Sequence, residues 1–265
     1  MKKLIKFFFC ATVFFSACNA PKKFVYKNVE NTSAVGFDTQ NSDSEAVSLA
    51  DSIENAHGGR YAWDKTRFIK WSYSGQRDLI WDKTGQKVRI DFSGNNLKIR
   101  MNLKDNSAVI WHDGIILTQP DSVKKYSEYG KYIFTNDAWW LLMPFKLKET
   151  GITLKYAGKK TNAIGAPSDA LTAMFSKAEN VLTGKYLIYT NPVTHIITQW
   201  DFFKNSNDTV PTLIIPNSEY RGYGHLLLSA NRGVGRSLAP IAVYSSMPDS
   251  VFTSFYPVNW KAVKY

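Results

Sequence analysis

From residue 66 to residue 118 apolar and polar side chains alternate with a period of two. Ile69, Trp71 and Tyr73 are separated by Lys70 and Ser72, and Val88, Ile90 and Phe92 by Arg89 and Asp91. Leu97, Ile99, Met101 and Leu103 alternate with Lys98, Arg100 and Asn102, and a shorter apolar run covers 79–81. Alternation of this kind sets one row of side chains on a core and the other in water. Turn residues at Ser74-Gly75 and at 82–85 divide the runs, which predicts an antiparallel meander with one wet face. Asp113-Gly114, between apolar runs at 108–111 and 115–118, adds a tight hairpin.

The period changes on both sides of this stretch. Ser42 and Glu45 have capping-box spacing, and Val47, Ala50, Ile53 and Ala56 or His57 then share one helical stripe, up to a stop at Gly58-Gly59. Residues 120–142 show no alternation. There, Tyr132, Ile133 and the run 138–142 predict one or two helices, ended by Met143-Pro144-Phe145 because a residue before proline is driven out of the helical region. Strand patterns resume at 151–156, 171–175, 186–190, 195–203, 220–229 and 238–244. Ten or so strands with one helical interruption make the chain mainly β with a few helices, and predict a single large curled antiparallel sheet.

The first residues carry a different message. Lys2, Lys3 and Lys6 are followed by an apolar run to residue 17 that falls short of the roughly 20 residues a membrane span needs. Residues 1–17 therefore read as a secretory signal peptide. Ser16 and Ala17 stand directly before Cys18, an arrangement that resembles a lipobox with Phe15 where leucine is usual. Cys18 is expected to carry a lipid anchor, and 18–42 to form the lipidated cysteine and a disordered tether, since 19–42 is polar and without period. A flexible tether of that length reaches roughly 25 to 30 Å. The folded domain is expected over 43–265.

With 17 of 265 residues removed, 248 remain, enough to bury about three quarters of the unfolded surface. Cys10 leaves with the signal and Cys18 is taken by the anchor, which excludes thiol nucleophiles, thiolate zinc sites and disulfides. Loss of three lysines and no acid lowers the net charge from +11 to +8. In an exported protein such an excess points to anionic lipid headgroups over nucleic acid, or to a lysine-studded sheet that discourages edge pairing.

Ala56-His57-Gly58-Gly59 with Trp63, the run 81–85 (Trp-Asp-Lys-Thr-Gly) with Val88-Arg89, and above all 142–147 (Leu-Met-Pro-Phe-Lys-Leu) with Gly151 and Tyr156 resemble an uncharacterised family of Gram-negative lipoproteins. The architecture of that family looks like the LolA and LolB lipoprotein-sorting proteins. The resemblance covers roughly 44–203. It implies an unclosed antiparallel half-barrel, with helices covering its concave side over an apolar cavity that takes acyl chains. It carries no catalytic residue.

Local chemistry is sparse. His57, His112, His195 and His225 are scattered, with no pair at the one-turn spacing of a helical metal site. No Gly-x-Ser-x-Gly elbow is present, and Gly158-Lys159-Lys160-Thr161 lacks the upstream glycine of a phosphate loop. No metal, cofactor or reaction type is implied. Aromatic residues make up 14% of the chain, which asks for a use. Trp71, Trp81, Trp111, Trp139, Trp140, Leu142, Met143 and Phe145 either fill a core or form the wall and lid of a ligand cavity. The expectation is a monomeric, non-enzymatic envelope protein, lipid-anchored in the outer membrane facing the periplasm, that holds a hydrophobic ligand or acyl chain. The alternative is a glycan-binding or scaffolding lipoprotein whose tryptophans face outward.

Overall fold

A computed structural model of the chain describes residues 30–176 and 182–265. The expected signal peptide, Cys18 and the expected tether up to residue 29 lie outside the described residues. Two helices come first, α1 (Ser44–Ala56) and α2 (Gly59–Lys65), followed by β1 (Phe68–Tyr73), β2 (Arg77–Asp82), β3 (Lys87–Phe92), β4 (Leu97–Asn102), β5 (Ser107–His112) and β6 (Ile115–Ile116). Helix α3 (Pro120–Leu142) runs into a 3-10 turn at Met143–Phe145. The second half holds β7 (Ile152–Thr161), β8 (Pro167–Phe175), β9 (Lys185–Thr190), β10 (Ile197–Phe203), β11 (Leu213–Pro216), β12 (Ser218–Tyr223), β13 (Leu226–Asn231), β14 (Ala242–Tyr244) and the short α4 (Ser250–Thr253).

The protein is mainly β with few helices, but its strands form three antiparallel sheets, not the single sheet expected. Seven strands pair in the order β14-β1-β2-β3-β4-β5-β6, five in the order β11-β10-β9-β8-β7, and β12 and β13 form a separate ribbon. None of these closes on itself. The division has local causes. The 23-residue α3 carries the chain away from β6 before β7 can pair with it. Pro216, at the end of β11, has no N–H to continue a ladder, and the backbone then turns through a positive φ at Glu219.

Periodicity placed the meander correctly. Asp113 and Gly114 adopt the left-handed conformations that a two-residue hairpin loop requires, and Ser74 and Gly75 do so within the three-residue loop 74–76 between Tyr73 and Arg77. Residues 220–229, expected as one strand, instead double back as β12 and β13. The outward row of the meander is not fully wet. Phe68, Ile80, Tyr244, Met247, Val251, Phe252 and Val263 form a second small core beneath the C-terminal segment. Arg89 donates to the carbonyls of Val251, Ser254 and Tyr256 at 3.4, 3.3 and 3.1 Å. Lys98 donates to Phe255 O at 3.1 Å and Arg100 to Phe252 O at 3.3 Å, so the same segment is held along its backbone.

Helix α1 buries Ala46, Leu49, Ala50, Ile53 and Glu54, one step round from the expected stripe. The capping box does not form. Asp43 is the N-cap, and its carboxylate accepts from Tyr156 N at 2.9 Å and Lys155 Nζ at 2.9 Å, while Ser42 Oγ accepts from Leu154 N at 3.0 Å. Helix α1 ends at Ala56, just before the expected stop at Gly58-Gly59, and a second helix, α2, begins at Gly59. Residues 30–42 are not a tether. Asp38 N donates to Ile152 O at 3.1 Å, Gly151 N to Gly36 O at 2.8 Å and Ala34 N to Lys148 O at 2.9 Å, and Phe37 enters the core. The polar composition of this stretch concealed that its backbone covers the open edge of β7.

The second half of α3 is buried from Asp137 to Leu142 and lies in the main core with side chains from both large sheets. Inside it, Arg77 Nε donates to Asp137 Oδ2 at 2.7 Å and Nη2 to Oδ1 at 2.8 Å. Asp137 is fully buried, and the ring of Tyr73 lies 4.1 Å from the guanidinium. Removing one partner strands the other charge in the core. Asp137→Ala is expected to lower unfolding free energy by about 3–5 kcal/mol, read from urea midpoints at unchanged slope. Gly58 has φ +125°, and a Cβ there would stand 2.5 Å from His225 O. Gly58→Ala should therefore cost about 2 kcal/mol or more in the same measurement.

Candidate functional site

Seven of the eight residues marked by the sequence meet in one place. Trp71, Trp81, Trp139, Trp140, Leu142, Met143 and Phe145 are buried within the main core. Trp111 is not with them. It sits half-buried on the outward face of β5, where Lys98 Nζ lies 4.7 Å from its ring centroid. The inward rings form a seam in two parts, with no ring contact joining them among the described residues. Phe145 stacks on Trp63 at 4.9 Å, Trp63 meets Trp81 at 5.9 Å, and Trp81 meets Phe134 edge-on at 5.3 Å. Trp140 bridges the sheets, touching Tyr73 of β1 at 5.6 Å and Trp200 of β10 at 4.9 Å. Trp139 packs against Phe175 and Tyr186 at 4.8 and 5.3 Å.

This seam fills the space between the sheets with the protein's own rings. Yet the indole N–H groups of Trp71, Trp81, Trp139 and Trp200 are buried without a hydrogen-bond partner among the described residues. A buried donor left unpaired costs about 1–3 kcal/mol, and native cores contain few. Phe134 and Tyr186 complete the seam. Tyr186 could have been read from the inward row of its strand and Phe134 from the helical period of α3.

A polar cluster that no sequence motif announces lies beside the seam. Arg232 is buried and donates to Trp140 O at 2.6 Å, Ser229 Oγ at 2.8 Å and Asn231 O at 3.0 Å, with no carboxylate partner among the described residues. Burial lowers its pKa to about 10. The ring of His57 meets Tyr220 edge-on at 5.4 Å, and Tyr220 donates from its hydroxyl to Ile197 O at 2.7 Å. His57 Nε2, Arg232 Nε and Asn217 Oδ1 are all buried and unpartnered. Its members are too far apart in the chain for spacing to reveal them. His195 and His225, expected in strands, occupy turns.

Two surface recesses have comparable size. One, of about 510 Å³, is lined by Ser74, Glu219, Arg221, Asn231, Arg236 and Ser237 with the glycines at 233 and 235. The other, of about 520 Å³, lies along the 36–40 segment beside Gly151, Thr153 and Ser176. None of the eight marked residues lines either recess. Among the described residues no helix is long and apolar enough to cross a membrane, and no three His, Cys, Asp or Glu side chains group as metal ligands.

No family model matches the chain, and no curated protein matches it. Nine chains of solved structures do. One is a DUF1329 family protein from Desulfovibrio piger, 10% identical, aligned over 78% of this chain and 95% of that one at a TM-score of 0.43. Another is an uncharacterised conserved protein from Thermus thermophilus, 10% identical, over 83% and 98% of the two chains at a TM-score of 0.26.

Titration adds one measurable property. Burial raises Glu54 to about 7 against the opposing pull of Arg60, whose Nη2 donates to Oε2 at 3.0 Å. Burial lowers His57 to about 4, with its Nδ1 2.7 Å from Ile53 O. Between 4.5 and about 7 the folded protein holds more protons at Glu54 than the unfolded chain, so stability from this group falls as pH rises. His57 acts the other way between about 4 and 6.5, where the unfolded chain binds more protons. Glu54→Gln removes the first dependence alone. Relative to wild type, that variant should gain about 2–3 kcal/mol between pH 4.5 and 7, read from urea midpoints across the range.

Proposed function

We propose that this chain is a lipid-anchored envelope protein, attached through Cys18 and exposed to the periplasm, that takes a hydrophobic chain between its two large sheets. The site is closed in this conformation, with the second half of α3 and the 3-10 turn at Met143–Phe145 acting as lid. The observation that carries the reading is the set of four buried indole donors without partners on a seam of rings. A hydrophobic chain with an ester or amide near its end would offer both apolar surface and an acceptor oxygen. The sheets share no ladder among the described residues, so the space between them can widen without breaking sheet hydrogen bonds. The opposing cost is release of Asp137 from Arg77 and of the Trp140 carbonyl from Arg232. The reading with outward tryptophans stacking on sugars needs exposed rings, and Trp71, Trp81 and Trp139 are buried.

Brominated fatty acid quenches tryptophan on contact, which makes it the direct probe. Saturable one-to-one quenching of most of the tryptophan fluorescence is expected, and Trp139→Phe should weaken binding several-fold while leaving stability unchanged or higher. Absence of saturable quenching removes the proposal. Mass measurement of the N-terminal peptide tests the anchor separately: Cys18 should carry acyl chains, and Cys18→Ser should move the protein out of the membrane fraction.

A further inference from the structure

The recess on the outward side of the β12–β13 ribbon differs chemically from the other one. Arg221 of β12 and Arg236 of the following loop both line it, and neither guanidinium is ion-paired among the described residues. Its single carboxylate, Glu219, is held by Asn231, whose Nδ2 donates to Oε1 at 2.8 Å. The loop between Arg232 and Arg236 closes on itself through Arg232 N to Arg236 O at 3.1 Å and Arg236 N to Gly233 O at 3.1 Å. Ser74 N donates to Ser237 O at 2.7 Å, which ties the rim to the first hairpin. Next in the chain to Asn231, the buried Arg232 adds a second net positive charge with Nε unpartnered. The recess along the 36–40 segment has Asp38 as the one charged side chain among its lining, already engaged by Asn41 and Thr153.

We propose that this recess binds a phosphate-type oxyanion between Arg221 and Arg236. Two arginines that line one recess, from a strand and from a braced loop, suit the oxygens of phosphate, to which arginine donates in pairs. Arg232, buried next in the chain to the recess-lining Asn231, adds positive charge in surroundings that screen it little. A space of about 510 Å³ takes the phosphate together with the group it is esterified to. The inference does not rest on the acyl-chain reading, because the recess and the seam share no residue.

The test is calorimetric titration of the detergent-solubilised full chain with two probes. Inorganic phosphate represents a free anion, and glycerophosphoglycerol, the deacylated headgroup of an anionic lipid, represents a membrane source. Saturable binding of at least one probe is expected, falling tenfold or more in the Arg221→Gln, Arg236→Gln double variant. Both residues are exposed, so the variant keeps the fold. Tighter binding of inorganic phosphate assigns the site to a free anion, and tighter binding of the headgroup assigns it to lipid. Lys159→Gln with Lys160→Gln, which removes two exposed charges from β7, should leave affinity intact. The proposal is overturned when neither probe saturates, when the arginine variant binds both as wild type does, or when the lysine variant loses as much affinity.

Discussion

The structure depends on burying the second half of α3 between two large sheets that share no ladder among the described residues. From Asp137 to Leu142 the helix is covered on all sides, and a helix in that position must satisfy whatever polar groups it brings. It brings a carboxylate and a backbone carbonyl that matter. Asp137 is answered by Arg77 from the start of β2, and the carbonyl of Trp140 by Arg232 from the end of β13. These two arginines thus pin one helix to the seven-stranded sheet and to the ribbon. The price of that arrangement is that charge sits inside the core, where it stabilises only while every partner stays in place.

The basic excess takes on a different meaning once the contacts are known. Arg89, Lys98 and Arg100 point outward from the meander, as the alternation requires, but they do not face open water. They donate to successive carbonyls of the C-terminal segment, and Phe255 lies 4.2 Å from the guanidinium of Arg100. Part of the positive charge therefore serves as backbone glue, supplying donors to a segment with little regular structure. Arg221 and Arg236 lack such duties, and this contrast within one chain singles out their recess.

Legibility in the sequence followed the reach of each physical signal. Period-two alternation needs only neighbouring residues, so β1 to β5 and their turns were readable from Ile69, Trp71, Val88, Ile90 and the Asp113-Gly114 pair. Sheet membership needs distant partners, and nothing local says that β7 will pair with 34–43 instead of β6. Residues 220–229 misled because apolar Leu226, Leu227 and Leu228 run together, hiding the turn at 224–225. For the site, the pattern showed which face Trp71 and Trp81 occupy but not whether that face encloses space. Whether rings line a cavity or fill it depends on how far apart two sheets stand, and no periodicity encodes that distance. Trp111 shows the same limit: its aromatic character matched the others, while its place in the pleat put it on the opposite face.

A core can tolerate unpaired indoles, which is why their presence needs weighing. Each tryptophan buries about 150–250 Å², worth roughly 4–6 kcal/mol at 25 cal/mol per Å². An unpaired N–H returns about 1–3 kcal/mol of that. The seam is therefore favourable with its donors idle, and folding alone does not demand a partner for them. Folding alone does not demand indole either. Phenylalanine would supply most of the same area with nothing left unsatisfied, as Phe134, Phe145 and Phe175 do in the same seam. Four positions nevertheless carry the ring whose extra group is a donor, on both large sheets and on the helix between them. We read that distribution as support for the proposed ligand site, in which an acceptor would lie among these donors.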